Sequence, residues 1–393
     1  KTTVDAWREF RNKCSKRALV IMPVQTGELR EFAIKNNLFV LNLNKELGDA
    51  GAGQNISLLE EVLAWLEPNA PVYGWEQGVS EDQFVARVSK SGHPMIPCDW
   101  SYNHSLLSLL YEKGREQVLP RIFDPRSIDF KKKKNFVSFF LSDGDNIQWM
   151  MQDFASRYYD VPEADVKMTF GLPVATLAMM APVQFNNLMG LQKQNCSLME
   201  MLGGGYYYVD TYSQDNNRKT NLRVAAKRLA VSMRQYQIKL LGIMAMDVKS
   251  EAAKEAYQVY VDANDQLEGI VVLQYSPYAG GEGEVFWVTN KAGYDIPVIT
   301  VKYSLWDRIH EREGSPDFIA SKLKEEAQEE SFSVVCVHAW SRFEGDTYGA
   351  SAAKRCAERL DDRFEAINMQ ELVWRLRMSR RPEQTLDYLN KIY

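Results

Sequence analysis

Histidine is scarce in this chain, four in 393 residues, and none stands in an H-x-x-x-H or H-E-x-x-H arrangement. That removes the helical two-histidine zinc site. Cysteine is little used: Cys14, Cys98, Cys196, Cys336 and Cys356 are odd in number, widely spaced and without a C-x-x-C pair. Neither a disulfide framework nor a zinc ribbon is encoded, and at least one thiol stays free within the chain. Cys336, inside the apolar run Val334 to Val337, reads as a small buried hydrophobe. No apolar run approaches the ~20 residues that span a bilayer, and no signal-peptide pattern is present. The chain opens on Lys1 rather than Met, which suits a removed leader and leaves secretion open. Net charge is −5, against a nucleic-acid surface, and the basic run Lys131 to Lys134 reads as a solvated lead-in to a strand. A G-x-S-x-G elbow and a nucleotide-binding glycine loop are both missing, so serine-triad and nucleotide chemistry are set aside.

What is present is an ordinary globular composition, 45% hydrophobic and 25% charged, on a chain long enough for two or three domains. Residues 1–118 alternate short apolar runs (Ala18 to Met22, Leu38 to Leu43, Pro71 to Trp75, Met95 to Cys98) with helical patterns. Ser57-x-x-Glu60 and Ser80-x-x-Gln83 read as capping boxes opening two of those helices. This is a small α/β unit, expected to be parallel. Residues 119–134, with two prolines and a charge run, read as a linker.

Over 135–378, strand-like runs recur with room for a helix between them: Val137 to Leu141, Val166 to Phe170, Leu240 to Ala245, Gly269 to Leu273, Val298 to Val301, Val334 to Val337 and Phe364 to Ile367. Seven or eight β-α units in about 240 residues predict a TIM-like, irregular β/α barrel, with a doubly wound open sheet as the alternative. Helices are expected over Leu222 to Tyr236, after the Ser315-Pro316 cap, and after Asn368; residues 379–393 read as a tail.

In parallel α/β folds ligand chemistry gathers just beyond the strand ends. The first strand empties into Ser142-Asp143-Gly144-Asp145-Asn146; later ones lead to Gly171-Leu172-Pro173, Asp247, Gln274-Tyr275, Trp306, and His338 with Trp340. Aromatic platforms among carboxylates are what sugar recognition uses: rings cover the apolar sugar face and paired acids do the chemistry. Asp143, so close to a buried strand, needs a partner or a task. Asp145 has the competing role of helix N-cap. Asp247 serves equally as a loop residue; His338, Trp306 and Trp340 have core roles as alternatives. Gly203-Gly204-Gly205-Tyr206-Tyr207-Tyr208-Val209-Asp210 is either a ligand-lining loop or a tight structural turn.

Gly203, Gly205, Tyr206 and Tyr208 resemble the pattern that names the GxGYxYP putative glycoside hydrolases, with Val209 where the pattern ends in proline. Ser142 to Asn146 with Gln148-Trp149, and Gly171 to Pro173 through Ala181-Pro182, are similar to other segments of that family. The resemblance implies a barrel-like hydrolase in a bacterial carbohydrate-utilisation setting, and an exported protein. It supplies no catalytic pair. The expectation is therefore a glycosidase with Asp143, Asp145 and Asp247 as candidate acids. Asn146, Tyr206, Tyr208, Asp210, Tyr275, Trp306, His338 and Trp340 would contact a carbohydrate, with no cofactor. Two alternatives remain: a metal-dependent deacetylase-like hydrolase with a divalent cation at Asp143, Asp145 and His338, and a non-catalytic glycan-binding protein.

Overall fold

The computed structural model describes residues 2–22, 27–43, 55–75, 79–111, 118–142, 146–202, 204–214, 217–276, 278–309 and 313–393. Leu19–Ile21 (β1), Phe39–Leu41 (β2), Val72–Gly74 (β3) and Met95–Ile96 (β4) form an all-parallel sheet in the order β2-β1-β3-β4. Parallel neighbours need crossovers, which the helices Arg30–Lys35, Asn55–Trp65 and Glu81–Lys90 supply. The second begins two residues before Ser57, so Ser57 lies inside its first turn instead of capping it. Ser80 does occupy the N-cap of the third, with no side-chain cap bond.

The larger sheet is built from Asn135–Leu141 (β5), Thr169–Leu172 (β6), Ser197–Met201 (β7), Leu240–Ala245 (β8), Gly269–Gln274 (β9), Val285–Thr289 (β10), Asp295–Thr300 (β11), Tyr303–Leu305 (β12), Phe332–Val337 (β13) and Phe364–Ala366 (β14). Its order is β10-β11-β9-β8-β7-β6-β5-β13-β12, with β14 also on β5; only β10 runs antiparallel. β11 pairs with β9 and β12 with β13, and only Val301 and Lys302 separate the two strands. Val301 donates to the Val272 carbonyl (3.2 Å) and Lys302 to that of Val334 (3.1 Å). One chain segment thus joins opposite ends of the sheet and curls it. The result is a mixed α/β fold of a curled, half-barrel sheet and a small parallel sheet; an exact eight-stranded TIM closure is not formed among the described residues.

β5 is buried along its whole length because both its faces are covered. Phe136 and Phe140 join Met199, Met201, Met244, Leu273 and Ile299 on the inside of the curl. Val137, Phe139 and Leu141 face the outer helices with Leu198, Ile243 and Val272. β7 escapes a reading of apolar runs because Glu200 interrupts it. β6 starts at Thr169, later than the run Val166 to Phe170, because Pro162–Val166 forms a 3-10 turn and Lys167 takes a left-handed conformation. Residues 379–393 are no loose tail: Pro382–Ile392 is a helix. Buried Glu268 anchors this end of the chain, bonding Gln370 and Trp374 at 3.1 and 2.9 Å and the terminal Tyr393 hydroxyl.

The tyrosine segment joins the two sheets. Tyr206 exchanges both main-chain hydrogen bonds with Met95 at the edge of the small sheet (2.7 and 3.0 Å), and Tyr208 bridges to Met244 on β8. Gly205 has φ +143°, and a Cβ there would lie 2.5 Å from Pro94 Cβ. Gly204 has φ +85° with open space around it. Gly205→Ala therefore meets both strain and collision and is expected to cost at least about 2 kcal/mol, whereas Gly204→Ala carries the left-handed penalty alone, about 1 kcal/mol. Urea unfolding of the two variants reads the difference.

Candidate functional site at the strand ends

An aromatic chain runs around the strand ends. Trp75 stacks on Tyr206 (ring centroids 6.5 Å), Tyr206 meets Tyr208 edge-on (5.8 Å), Tyr208 meets Tyr275 (5.6 Å), and Tyr275 meets Tyr278 (6.1 Å). Tyr278 then stacks on Trp306 (5.2 Å, 15°), and Trp306 on His338 (4.8 Å, 9°). The curl brings these rings together, since they follow β7, β9, β12 and β13. Tyr206, Tyr208 and Tyr278 are buried; Tyr275, Trp306 and His338 are only partly covered. The open aromatic surface at the rim is therefore that of the latter three, with the buried tyrosines behind them as the wall.

Trp340 stands apart from that chain, 43% exposed and 4.8 Å from Trp149. Asp210 is buried and accepts the Met246 and Asp247 N–H groups (3.1 and 2.9 Å), so it shapes the turn after β8. Asp247 is exposed and bonds the Lys249 N–H two residues on (2.9 Å). Asp143 and Asp145 lie outside the described residues. The N-cap of the helix Ile147–Met150 is Asn146, so the capping position considered for Asp145 belongs to its neighbour.

The segment after β5 makes a contact that periodicity does not foretell. Gln148 Nε2 donates to Asp99 Oδ1 (3.1 Å) and to Asn146 Oδ1 (3.3 Å), while the Trp100 N–H reaches Gln148 Oε1 (3.3 Å). Asp99, three residues beyond β4, is only 9% exposed. Burial raises its carboxyl above the usual range, the Gln148 bond opposes that, and the nearby Glu28 charge adds to it. A carboxyl from the small sheet therefore stands at the end of β5. Trp100 beside it is 58% exposed. Ser142, the last described residue before the acidic turn, bonds the Val337 carbonyl through its N–H (3.0 Å), which sets the end of β5 beside His338.

A family profile described as the GxGYxYP putative glycoside hydrolase C-terminal domain matches residues 133–377, and one described as the GxGYxYP third domain matches residues 16–109. The chain belongs to the GxGYxYP family. None of the curated proteins matches it. A crystal structure described as a putative hydrolase from Bacteroides thetaiotaomicron VPI-5482 superposes with a TM-score of 0.79 at 18% identity, over 97% of this chain and 70% of that one. That similarity concerns the fold.

In this GxGYxYP chain Asp99, Tyr278 and Glu200 are not marked by any motif, and Gln148 is marked only as part of the segment that resembles the family. Asp99 did carry a signal, since it directly follows the apolar run Met95 to Cys98. Tyr278 carried none. A cavity of 480 Å³ lies elsewhere, between the small sheet and the outer helices, lined by Phe32, Tyr73, Ile96, His104, Thr176 and Leu229 among others. Among the described residues no three His, Cys, Asp or Glu side chains converge to hold a metal ion, and no helix is long and apolar enough to cross a membrane.

Glu200 faces outward from β7, its Oε2 accepting the Ala175 N–H (2.9 Å) and its Oε1 buried without a partner among the described residues. Complete burial pushes its carboxyl from 4.5 up to about 8, the Ala175 bond opposing. The folded state therefore holds a proton that the unfolded chain releases. Its contribution is fully present below pH 4.5 and fades as pH rises toward 8, at up to about 1.4 kcal/mol per pH unit. Glu200→Gln should flatten the stability–pH curve over that window, as chemical unfolding at successive pH values would report.

Proposed function

We propose that this protein is a carbohydrate-directed hydrolase working at the strand-end rim between the two sheets, with Asp99 as its general acid and Asp143 as the second carboxylate. The observation that carries this reading is the Asp99–Gln148 hydrogen bond, which ties a carboxyl of raised pKa to the segment that follows Asp143. A glycosidase needs one carboxyl kept protonated to donate to the leaving oxygen and one ionised to attack or to activate water. Burial suits Asp99 to the first role. Asp247, exposed and held in its own turn, suits neither as well as Asp99 does. Tyr275, Trp306 and His338 would line the sugar's path, with Trp100 and Trp340 as outlying platforms. The same reading takes the curl as a seven-stranded β/α barrel in which 295–305 is the closing strand.

The test is hydrolysis of a panel of glycosides by the wild type, Asp99→Asn and Asp143→Asn, each verified as folded by circular dichroism. Loss of the general acid should lower kcat about 10²- to 10⁴-fold on substrates with poor leaving groups. The loss should be far smaller on activated aryl glycosides, which need no proton. Asp143→Asn should lose activity on both kinds. Full activity in Asp99→Asn would sink the assignment. Glycan binding that survives both substitutions, with no turnover by the wild type, would make the protein a binding module instead.

A further inference from the structure

The 480 Å³ cavity beside the small sheet is apolar over most of its lining. Ile96, Tyr207 and Leu229, all buried, line its inner part, while Ser108, Met179 and Arg228, all exposed, stand where it opens to solvent. A volume of this size holds a drug-sized molecule. Two methionines in the wall, Met179 and Met180, let it adapt to the shape of an occupant.

One part of the lining is polar. The buried Tyr212 hydroxyl donates to Asn69 Oδ1 (2.7 Å). Asn69 is only 5% exposed, lines the cavity, and has no partner for its amide nitrogen among the described residues. A donor in such a place costs free energy until an acceptor reaches it. Burial and neighbouring Tyr207 keep the Tyr212 hydroxyl protonated and the Arg228 charge opposes them, so the guanidinium lies within electrostatic reach of the hydroxyl that Asn69 holds. Arg228 belongs to the helix Arg218–Gln235, which carries Arg218, Lys219, Arg223, Lys227, Arg228 and Arg234 but no acid, in a chain of net charge −5. Of these, Arg218 alone has an ion-pair partner among the described residues, Glu255 at 3.4 Å. The positive charge at the cavity mouth is therefore not neutralised from within these residues.

We propose that this cavity binds an amphiphilic carboxylate, its apolar body held inside and its carboxylate accepting from the Asn69 amide and pairing with Arg228. A purely apolar occupant would leave both the amide and the guanidinium unmet, and a small hydrophilic anion would gain nothing from the apolar lining. Gly204 and Tyr207 belong to the segment that joins the two sheets, and Tyr73 and Ile96 to β3 and β4. The occupant touches both parts of the molecule and stabilises their joint by mass action. Asp99, Tyr275, Trp306 and His338 do not line the cavity, so this second site is independent of the function proposed for the rim.

Isothermal titration with decanoate, below its micelle concentration, reads the site, with decanol and decyltrimethylammonium as neutral and cationic probes of the same chain length. Decanoate is expected to saturate a single site about tenfold more tightly than decanol, and the cation to bind more weakly than either. Octanoate should bind about tenfold more weakly than decanoate, since each buried methylene changes affinity roughly threefold to fourfold. Arg228→Glu should weaken decanoate about tenfold and leave decanol unchanged. Ala225→Phe, at a half-exposed position in the lining, should fill the space and abolish binding of both. Circular dichroism verifies folding; if Ala225→Phe does not fold, Arg228→Glu, at an exposed position, carries the test. Decanoate should raise the melting temperature of the wild type and not that of folded Ala225→Phe. An absence of binding, equal affinity for decanoate and decanol, or decanoate binding unmoved by Arg228→Glu overturns the proposal. So does binding retained in folded Ala225→Phe, which would put the ligand outside the cavity. Every readout is binding, so the result stands whether or not a glycoside is hydrolysed.

Discussion

Two main-chain hydrogen bonds between Tyr206 and Met95 hold the organisation of this molecule together. The segment after β7 must leave the curled sheet, reach the edge of the small one, and return to β8 within a few residues. It can do so because Gly205 lets its backbone come against Pro94, where any side chain would collide. Once made, the pair fixes what lies on either side. Tyr206 is placed to bond Glu81 (2.7 Å) and Tyr212 to bond Asn69 (2.7 Å), both on the small domain. The apolar inside of the curl then runs on through Leu202, Tyr206 and Tyr208 into the core of the small domain as one cluster.

The same pair determines who stands at the rim. Four residues beyond Met95 the chain reaches Asp99, which Gln148 ties to the end of β5. The small sheet therefore touches the strand-end rim twice, through β7's loop and through β5's, and spans the stretch above β6. The tyrosines that name the family are mostly walls and ties here, not exposed platforms. The partly open aromatic surface belongs to Tyr275, Trp306 and His338, farther around the curl.

Buried carboxyls in this fold divide according to how they are satisfied. Glu268 has partners on both oxygens and serves as an anchor for the terminal helix and Tyr393. Glu200 has one oxygen bonded and one without a partner among the described residues, in a setting that favours its neutral form. Asp99 accepts from the Gln148 amide, near the rim and beside exposed Trp100. Burial of a carboxyl by itself says little about chemistry; its partners and its access to a ligand decide.

Much of this was legible in the amino-acid sequence. Runs such as Val137 to Leu141 and Leu240 to Ala245 have the apolar continuity of strands covered on both faces, and Ser315-Pro316 and Asn368 mark helix starts through local capping chemistry. Parallel α/β organisation in two parts, strand ends rich in aromatics and acids, and family membership through Gly203, Gly205, Tyr206 and Tyr208 all follow from local pattern. β7 was not legible, because Glu200 breaks its apolar run and only the finished packing explains a carboxyl there. Nor was the partnership of Asp99 with Gln148, 49 residues apart, or the stack of Tyr278, Trp306 and His338 drawn from three strand ends. Periodicity reports which face of an element is buried, since that depends on residues a few positions apart. Which faces and ends meet depends on the curl of the sheet and the docking of its small companion, and only the folded chain decides that.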